Sequence, residues 1–402
     1  MDGKRTAIVL GAGASYCYED GKSNFPTQNN ILERMIAGIT SDSVGAPTFS
    51  DDTGMQHSHA LSQYLRKKFD IQEDKSKGHT PSDFWPKLQK VGYSLETLYE
   101  EIEKDVIDAE KRGSSGKWAL EDFEAMIRAR VTGPNHPRDR GSVCRYHRML
   151  CEALEPGDYI INFNWDTLMA DALLYYSNFW FPMTGFGLQL LYPMLNPCQK
   201  RTEIPSLIQL YHIHGSICLF EWDHNKEKFG QPTTLYWGPK TQTSMGGLAK
   251  LLGVEKDENG KSKLTRKVSD EEIRQNTLGH MYYQDQWFKP IFVSPSKYKK
   301  EYSNWYSVVM RRNIHSFLPT TKKIIIAGYS FPSADIDHLA EIFIRKILPS
   351  KAELFVIDPS NQDRSFQNRV SCVFPAMEKI DYSFQDFKEF CLELPTTKYL
   401  EL

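Results

Sequence analysis

Short, uninterrupted apolar runs recur along this chain, and most of them end in a polar cluster. The first run, Ala7 to Leu10, shows no alternation of apolar and polar residues. A run of this kind bounded by glycine is typical of a buried parallel strand. Similar runs cover residues 159–161, 207–213, 291–293, 324–326 and 353–357. We therefore predict a roughly six-stranded parallel sheet.

Helical patterns lie between these runs. Apolar residues recur three or four positions apart after Ser94, whose hydroxyl suits an N-cap. A helix predicted at 334–348 has Ser333 or Asp335 as its candidate cap. Further helical patterns cover residues 118–131, 143–154, 168–173 and 303–317. Strands that alternate with helices predict a Rossmann-like α/β fold with helices on both faces of the sheet.

Two segments of different character interrupt the predicted sheet. Residues 28–155 are predicted to be a mainly helical insertion, and residues 221–285 a polar insertion. The remaining segments are the core, at residues 1–27, 156–220 and 286–375, and a C-terminal tail at residues 376–402.

Composition narrows the class of protein. The 402 residues carry a net charge of −2, which gives no general attraction to nucleic acid or anionic membranes. Basic and aromatic residues mix at 297–312, and we interpret them as a solvated helix face rather than a nucleic-acid site. No apolar run approaches the roughly 20 residues of a membrane span. We expect no membrane and no direct nucleic-acid partner.

The cysteines indicate a reducing compartment. There are seven, and no two have C-x-x-C spacing, which argues against a disulfide framework and against a four-cysteine zinc module. We expect reduced thiols, no metal and a cytoplasmic protein.

Five polar motifs follow the predicted strands. They are G-A-G-A-S at 11–15, N-F-N-W-D at 162–166, H-G-S at 214–216, G-Y-S-F at 328–331 and D-P-S at 358–360. In an open α/β sheet the ligand crevice lies at this edge, and glycines let the backbone approach a phosphate closely. Tyr16 replaces the third glycine of the common dinucleotide fingerprint, which disfavours an ordinary dehydrogenase.

In order and rough spacing, these motifs resemble the sirtuin-like NAD-consuming fold, and more closely its bacterial NAD-hydrolysing branch. The resemblance runs from residue 5 to about residue 360 and leaves out both insertions. It implies that the core binds NAD+ as substrate, and that Asn164 and His214 are catalytic. It also implies the NAD-binding residues Gly11, Ala12, Gly13, Ser15, Asn162, Gly328, Ser330 and Asp358.

The residue types suit that chemistry. Cleavage of the nicotinamide–ribose bond develops an oxocarbenium-like cation, as in glycoside hydrolysis. Asn164 could position water or the ribose, and Asp166 could orient Asn164 and stabilise the developing positive charge. His214 could act as the base.

Each assignment has a structural alternative. Asn164 and Asp166 could simply cap the helix that begins near Thr167. His212 points to the same face of its strand as His214, so the histidine is not unique, although only His214 precedes Gly-Ser.

The lack of a four-cysteine zinc module points away from protein deacylation and towards hydrolysis of NAD+ by water. In the resembling branch, NAD depletion serves bacterial antiviral defence by abortive infection. Such an activity needs restraint, so the resemblance implies a homo-oligomer and a protein partner such as a HerA-type ATPase. The alternative is a non-catalytic module that senses NAD or ADP-ribose and signals to a partner. Asn164, Asp166 and His214 favour the enzyme, because binding alone needs no base.

Overall fold

A computed structural model describes much of the chain. The described residues are 5–18, 32, 64–65, 67–68, 93–111, 120, 123–124, 143–188, 190–191, 205–222, 233–236, 254–256, 262–264, 281–283, 286–293, 305–332, 335–336, 339, 343, 352–375, 377 and 379–394. Most of the helical patterns predicted at 118–131 and 334–348 lie outside these residues.

Thirteen strands and eight α-helices occur within the described ranges. The strands are β1 (Arg5–Leu10), β2 (Tyr159–Asn162), β3 (Leu190–Leu191), β4 (Gln209–His212), β5 (Gly215–Trp222), β6 (Thr233–Tyr236), β7 (Val254–Lys256), β8 (Ser262–Leu264), β9 (Met281–Tyr283), β10 (Gln286–Phe292), β11 (Thr321–Ala327), β12 (Glu353–Ile357) and β13 (Ile380–Asp381). The helices are α1 (Ala12–Ser15), α2 (Leu95–Lys111), α3 (Arg145–Ala153), α4 (Leu168–Tyr176), α5 (Pro182–Gly185), α6 (Trp305–Phe317), α7 (Arg364–Val373) and α8 (Phe387–Glu393).

Six strands form one all-parallel sheet in the spatial order β4-β2-β1-β11-β12-β13. Numbered within this sheet alone, the order is 3-2-1-4-5-6, which is the order of doubly wound dinucleotide-binding folds. The predicted Rossmann-like fold is therefore confirmed. The strand order reverses between β1 and β11, so a crevice is expected at their carboxyl ends.

The two central strands explain why this sheet forms. Residues 7–10 of β1 and 324–327 of β11 are all at most 1% exposed. Strands covered on both faces are apolar throughout rather than alternating, because helices or further chain pack on each side. The continuous apolar runs therefore predicted these two strands correctly.

The strand predicted at 291–293 was wrongly placed in the parallel sheet. It is the end of β10, which pairs antiparallel with β5 in a second sheet of order β3-β6-β5-β10-β9. A short apolar run does not distinguish a parallel strand from an antiparallel one, which explains the error. The sixth parallel strand is β13, within the segment predicted as a C-terminal tail, and its two residues are too few to show a period.

Two helices outside the predicted core pack close to the first loop. Helix α3 lies within the predicted helical insertion and contacts α4 and α8. Helix α8 lies within the predicted tail and also contacts α1. The predicted cap of α2 is confirmed, since the Thr97 backbone N–H donates to Ser94 Oγ at 3.1 Å. None of the described helices is long and apolar enough to cross a membrane.

Candidate active site

The loop after β1 and the loop after β11 are in direct backbone contact. Gly11 N–H donates to the Ala327 carbonyl at 3.0 Å, and Gly13 N–H donates to the Gly328 carbonyl at 2.8 Å. Gly328 has a φ of 62°, and a Cβ there would lie 2.2 Å from the Ala14 nitrogen. Only glycine fits such a contact without displacing backbone. The two loops therefore form one close-packed unit at the predicted crevice.

Asn164 is fixed against this unit by its side-chain amide. Its Nδ2 donates to the Gly11 carbonyl and to Ser15 Oγ, each at 2.9 Å. Ser15 Oγ in turn donates to Asp166 Oδ2 at 2.5 Å. Asn164, Ser15 and Asp166 are all buried. We call these three residues the Ser15 cluster.

Asp166 has two roles, one in this cluster and one in a helix. Its second oxygen, Oδ1, accepts from the Leu168 backbone N–H, the first of α4, at 2.9 Å. The N-cap residue is Thr167, whose side chain makes no capping hydrogen bond, so Asp166 contributes to the start of α4 from the position before the cap. Burial raises the pKa of Asp166, and the hydrogen bond from Ser15 opposes that rise. Asp166 reaches Asn164 through the Ser15 hydroxyl.

His214 lies beside an acidic residue that the sequence suggested only as a helix cap. Its Nε2 is 3.6 Å from Asp335 Oδ1, and both side chains are buried. Asp335 Oδ2 accepts from the Tyr329 hydroxyl at 2.5 Å. Both new residues lie in or just after the G-Y-S-F motif, so their position in the sequence was the available signal.

The residues on either side of Asn164 contact His214. Trp165 Nε1 donates to the His214 carbonyl at 3.1 Å. The Phe163 ring meets the His214 ring edge-on, with centroids 5.2 Å apart. His214 is therefore attached to the same loop that carries Asn164.

His212 has a different environment from His214. It is completely buried, and its Nδ1 donates to the Asn164 carbonyl at 3.1 Å. Burial lowers the pKa of His212 to about 4, so the ring is neutral at physiological pH. Within the described residues its Nε2 has no hydrogen-bond partner. His212 holds the Asn164 backbone in place, which leaves His214 as the better candidate base.

The other residues predicted to bind NAD+ lie at the same edge of the parallel sheet but make different contacts. Asn162 is buried, and its Oδ1 accepts from the Asn164 backbone N–H at 3.0 Å. The Ala12 carbonyl accepts from Tyr16 N–H at 3.2 Å. Asp358 accepts from the Ser360 backbone N–H at 2.8 Å, and burial raises the pKa of Asp358. The Ser330 and Asp358 side chains make no hydrogen bond to the Ser15 cluster within the described part of the chain.

A second buried cluster lies close to the end of α1 and was missed by the sequence reasoning. Cys17 Sγ is 4.0 Å from Cys144 Sγ, and Cys144 Sγ is 3.1 Å from His147 Nδ1. All three ligand atoms lie within 4.8 Å of one another. Cys144 and His147 have C-x-x-H spacing, a signal that differs from the C-x-x-C pairs of four-cysteine zinc modules. We call Cys17, Cys144 and His147 the Cys17 cluster.

Comparisons with known proteins add no function to this geometry, since no protein-family model and no curated protein matches the chain.

Proposed function

We propose that this protein is an NAD+ glycohydrolase that releases nicotinamide and ADP-ribose. The observation that carries the proposal is the placement of Asn164. Its neutral amide donates to Gly11 and Ser15 at the carboxyl edge of a 3-2-1-4-5-6 sheet. The Ser15 hydroxyl connects this amide to the Asp166 carboxyl. Dinucleotides bind at this edge in folds of this order.

The proposed reaction breaks the bond between the ribose C1′ and the nicotinamide nitrogen. The bonding electron pair leaves with nicotinamide, which becomes neutral, and the ribose carbon takes on oxocarbenium character. Water then forms a bond to C1′ and loses a proton. The products are nicotinamide, ADP-ribose and one proton.

The residues of the site divide these tasks. Asn164 positions the ribose or the water, because a neutral amide orients polar groups without opposing the developing cation. The negative charge of Asp166 stabilises that cation. His214 accepts the proton, and the Asp335 carboxyl, which accepts a hydrogen bond from Tyr329, lies 3.6 Å from its Nε2. We propose that the NAD+ pyrophosphate binds at the loop that follows β1. The Gly11 and Gly13 N–H groups already donate to the end of β11 and to the loop after it, so other groups of the first loop would have to hold the phosphates.

One observation favours the alternative of a non-catalytic sensor. Asn164 Nδ2 already donates two hydrogen bonds within the protein, to Gly11 and to Ser15. An amide engaged in this way would offer its ligand only the Oδ1 atom. A sensor of NAD or ADP-ribose would need no more than that.

The biological setting is proposed from the motif resemblance alone. We propose an effector of bacterial antiviral defence that acts by depleting NAD+ in the cytoplasm. Its activity would be restrained by assembly into a homo-oligomer and by a partner such as a HerA-type ATPase.

The decisive experiment follows NAD+, nicotinamide and ADP-ribose by chromatography. Purified protein is tested alone and together with the product of the neighbouring gene. We expect Asn164→Ala and His214→Ala each to lower the cleavage rate by about 10³-fold or more, with circular dichroism unchanged. Asn313→Ala and His315→Ala, which remove the same side-chain types from α6, serve as matched controls and keep the wild-type rate.

Two results would change the proposal. Wild-type rates in both site variants would contradict the roles of Asn164 and His214. Unchanged NAD+ under both conditions, together with tight NAD+ or ADP-ribose binding in calorimetry, would establish the sensor alternative.

A further inference from the structure

The Cys17 cluster has the dimensions of a metal site. A tetrahedral Zn²⁺ with Zn–S bonds of about 2.3 Å and Zn–N bonds of about 2.0 Å holds two sulfurs about 3.8 Å apart, and a sulfur and a nitrogen about 3.5 Å apart. The observed separations are 4.0 Å between the two sulfurs and 3.1 Å between Cys144 Sγ and His147 Nδ1. Shifts of a few tenths of an ångström would bring each of these two pairs to its zinc-bound separation, and all three atoms lie within 4.8 Å of one another.

Local structure explains why these side chains converge. Cys144 is the N-cap residue of α3, and His147 lies three positions further along the chain. Side chains three positions apart on a helix share a face, so both point to one side of α3. Cys17 comes from the turn after α1 on the opposite side of the cluster.

Cys391 is the candidate for a fourth ligand. It is fully buried on α8, the helix that contacts both α3 and α1. With Cys391 as a ligand the set would be Cys₃His, a common structural zinc site.

We propose that Cys17, Cys144 and His147 bind one Zn²⁺, with Cys391 as the candidate fourth ligand. Sulfur-rich sets with one imidazole select zinc over magnesium or calcium, which prefer oxygen ligands. With Cys391 as the fourth ligand the buried site would have no open coordination position, so the ion would be structural rather than catalytic. It would tie the turn after α1 to α3 and α8, and so hold Ser15, two residues before Cys17.

The first measurement is the metal content of the full-length protein purified without chelators. We expect about one zinc per chain by inductively coupled plasma mass spectrometry. Removing zinc and adding Co²⁺ should produce a thiolate-to-cobalt charge-transfer band and the strong visible bands of tetrahedral cobalt. Neither measurement depends on NAD+ cleavage, so failure of the proposed function would leave this test intact.

Variants identify the ligands. Cys144→Ser and His147→Ala should each lose most of the zinc, and Cys391→Ser should lose it or weaken the tetrahedral cobalt bands. Cys151→Ser is the matched control, since Cys151 is a buried thiol on the same helix whose Sγ donates to the Ala172 carbonyl. This control should keep one zinc per chain.

Measurements on the wild-type chain decide the proposal even where a variant fails to fold. Wild-type protein with less than about a tenth of an equivalent of zinc and no cobalt–thiolate band would overturn it. A disulfide between Cys17 and Cys144 in the native protein, detected by peptide mass, would also overturn it. Full zinc content in Cys391→Ser would contradict the fourth ligand.

Discussion

Ser15 and Cys17 are two residues apart, yet they belong to clusters of opposite character. In the Ser15 cluster a hydroxyl, an amide and a carboxyl share directed hydrogen bonds of 2.5–2.9 Å. In the Cys17 cluster two thiols and an imidazole crowd together, and burial disfavours a charge on each of them. The first cluster is satisfied by the chain's own atoms. In the second, Cys17 Sγ also donates to the Ala14 carbonyl at 2.9 Å, and we propose that a cation binds there.

We propose that this one short loop serves both the proposed reaction, through Ser15, and the proposed metal site, through Cys17. Ser15 faces the carboxyl edge of the sheet, where Asn164 lies, whereas Cys17 faces the helices α3 and α8. We therefore expect that, after a substitution in one cluster, the properties of the other cluster can still be measured.

The largest effect should come from removing the support that both clusters share. Gly328→Ala places a Cβ 2.2 Å from the Ala14 nitrogen, at a φ of 62°. We expect a loss of about 4 kcal/mol or more in the free energy of unfolding, because backbone must move and the conformation is strained. Urea denaturation measures this loss.

Gly157→Ala is the matched control. Gly157 also has a positive φ, 106°, but its added Cβ would meet only the Arg5 side chain, at 3.8 Å. Its cost should be the conformational strain alone, about 1–3 kcal/mol. Equal losses in the two variants would contradict the close packing of the two loops.

The next effect separates the two clusters. Ser15→Ala leaves a buried Asp166 oxygen without its donor and frees one amide hydrogen of Asn164. The pKa of Asp166 should rise further, and kcat/KM for NAD+ cleavage should fall about 100-fold, or about 2.7 kcal/mol. Steady-state kinetics measure this fall, and the zinc content should stay at the wild-type value.

Cys17→Ser is the reciprocal variant. It should lose zinc and thermal stability while the Ser15 cluster keeps its hydrogen bonds. Loss of zinc in Ser15→Ala, or full zinc in Cys17→Ser, would contradict the division between the two clusters.

The smallest effect concerns His212, which contacts the Asn164 backbone. Its folded pKa of about 4 lies below the ordinary value of 6.5. As the pH falls below 6.5, His212 binds a proton in the unfolded chain but stays neutral in the folded chain. The free energy of unfolding therefore decreases between about pH 6.5 and pH 4. The loss from pH 8 to pH 5 should be about 2 kcal/mol from this residue.

Urea denaturation across pH tests this expectation. His212→Asn, whose Nδ2 can replace the Nδ1 donor, should lose about 2 kcal/mol less than the wild type between pH 8 and pH 5. His315→Asn serves as the control on a partly exposed histidine. The same acid sensitivity in His212→Asn and in the wild type would contradict the buried, neutral imidazole.

The sequence predicted the parallel sheet because its central strands are buried on both faces, which produces continuous apolar runs such as Ile324 to Ile326. It predicted the grouping of Gly11, Ser15 and Asn164, because parallel strands bring their carboxyl ends to one edge. It missed β13, whose two residues show no pattern, and misplaced residues 291–293. Contacts between distant elements, such as Cys17 with Cys144, depend on helix packing that no local period encodes.

The position of β1 has a consequence for the order in which the site is made. β1 lies between β2 and β11, and its partner β11 is synthesised only when most of the chain has left the ribosome. The contact of Gly13 with Gly328 therefore also forms only after β11 has been synthesised. A nascent or truncated chain would carry Asn164 and His214 without a complete crevice, so the crevice can form only after β11 has been synthesised.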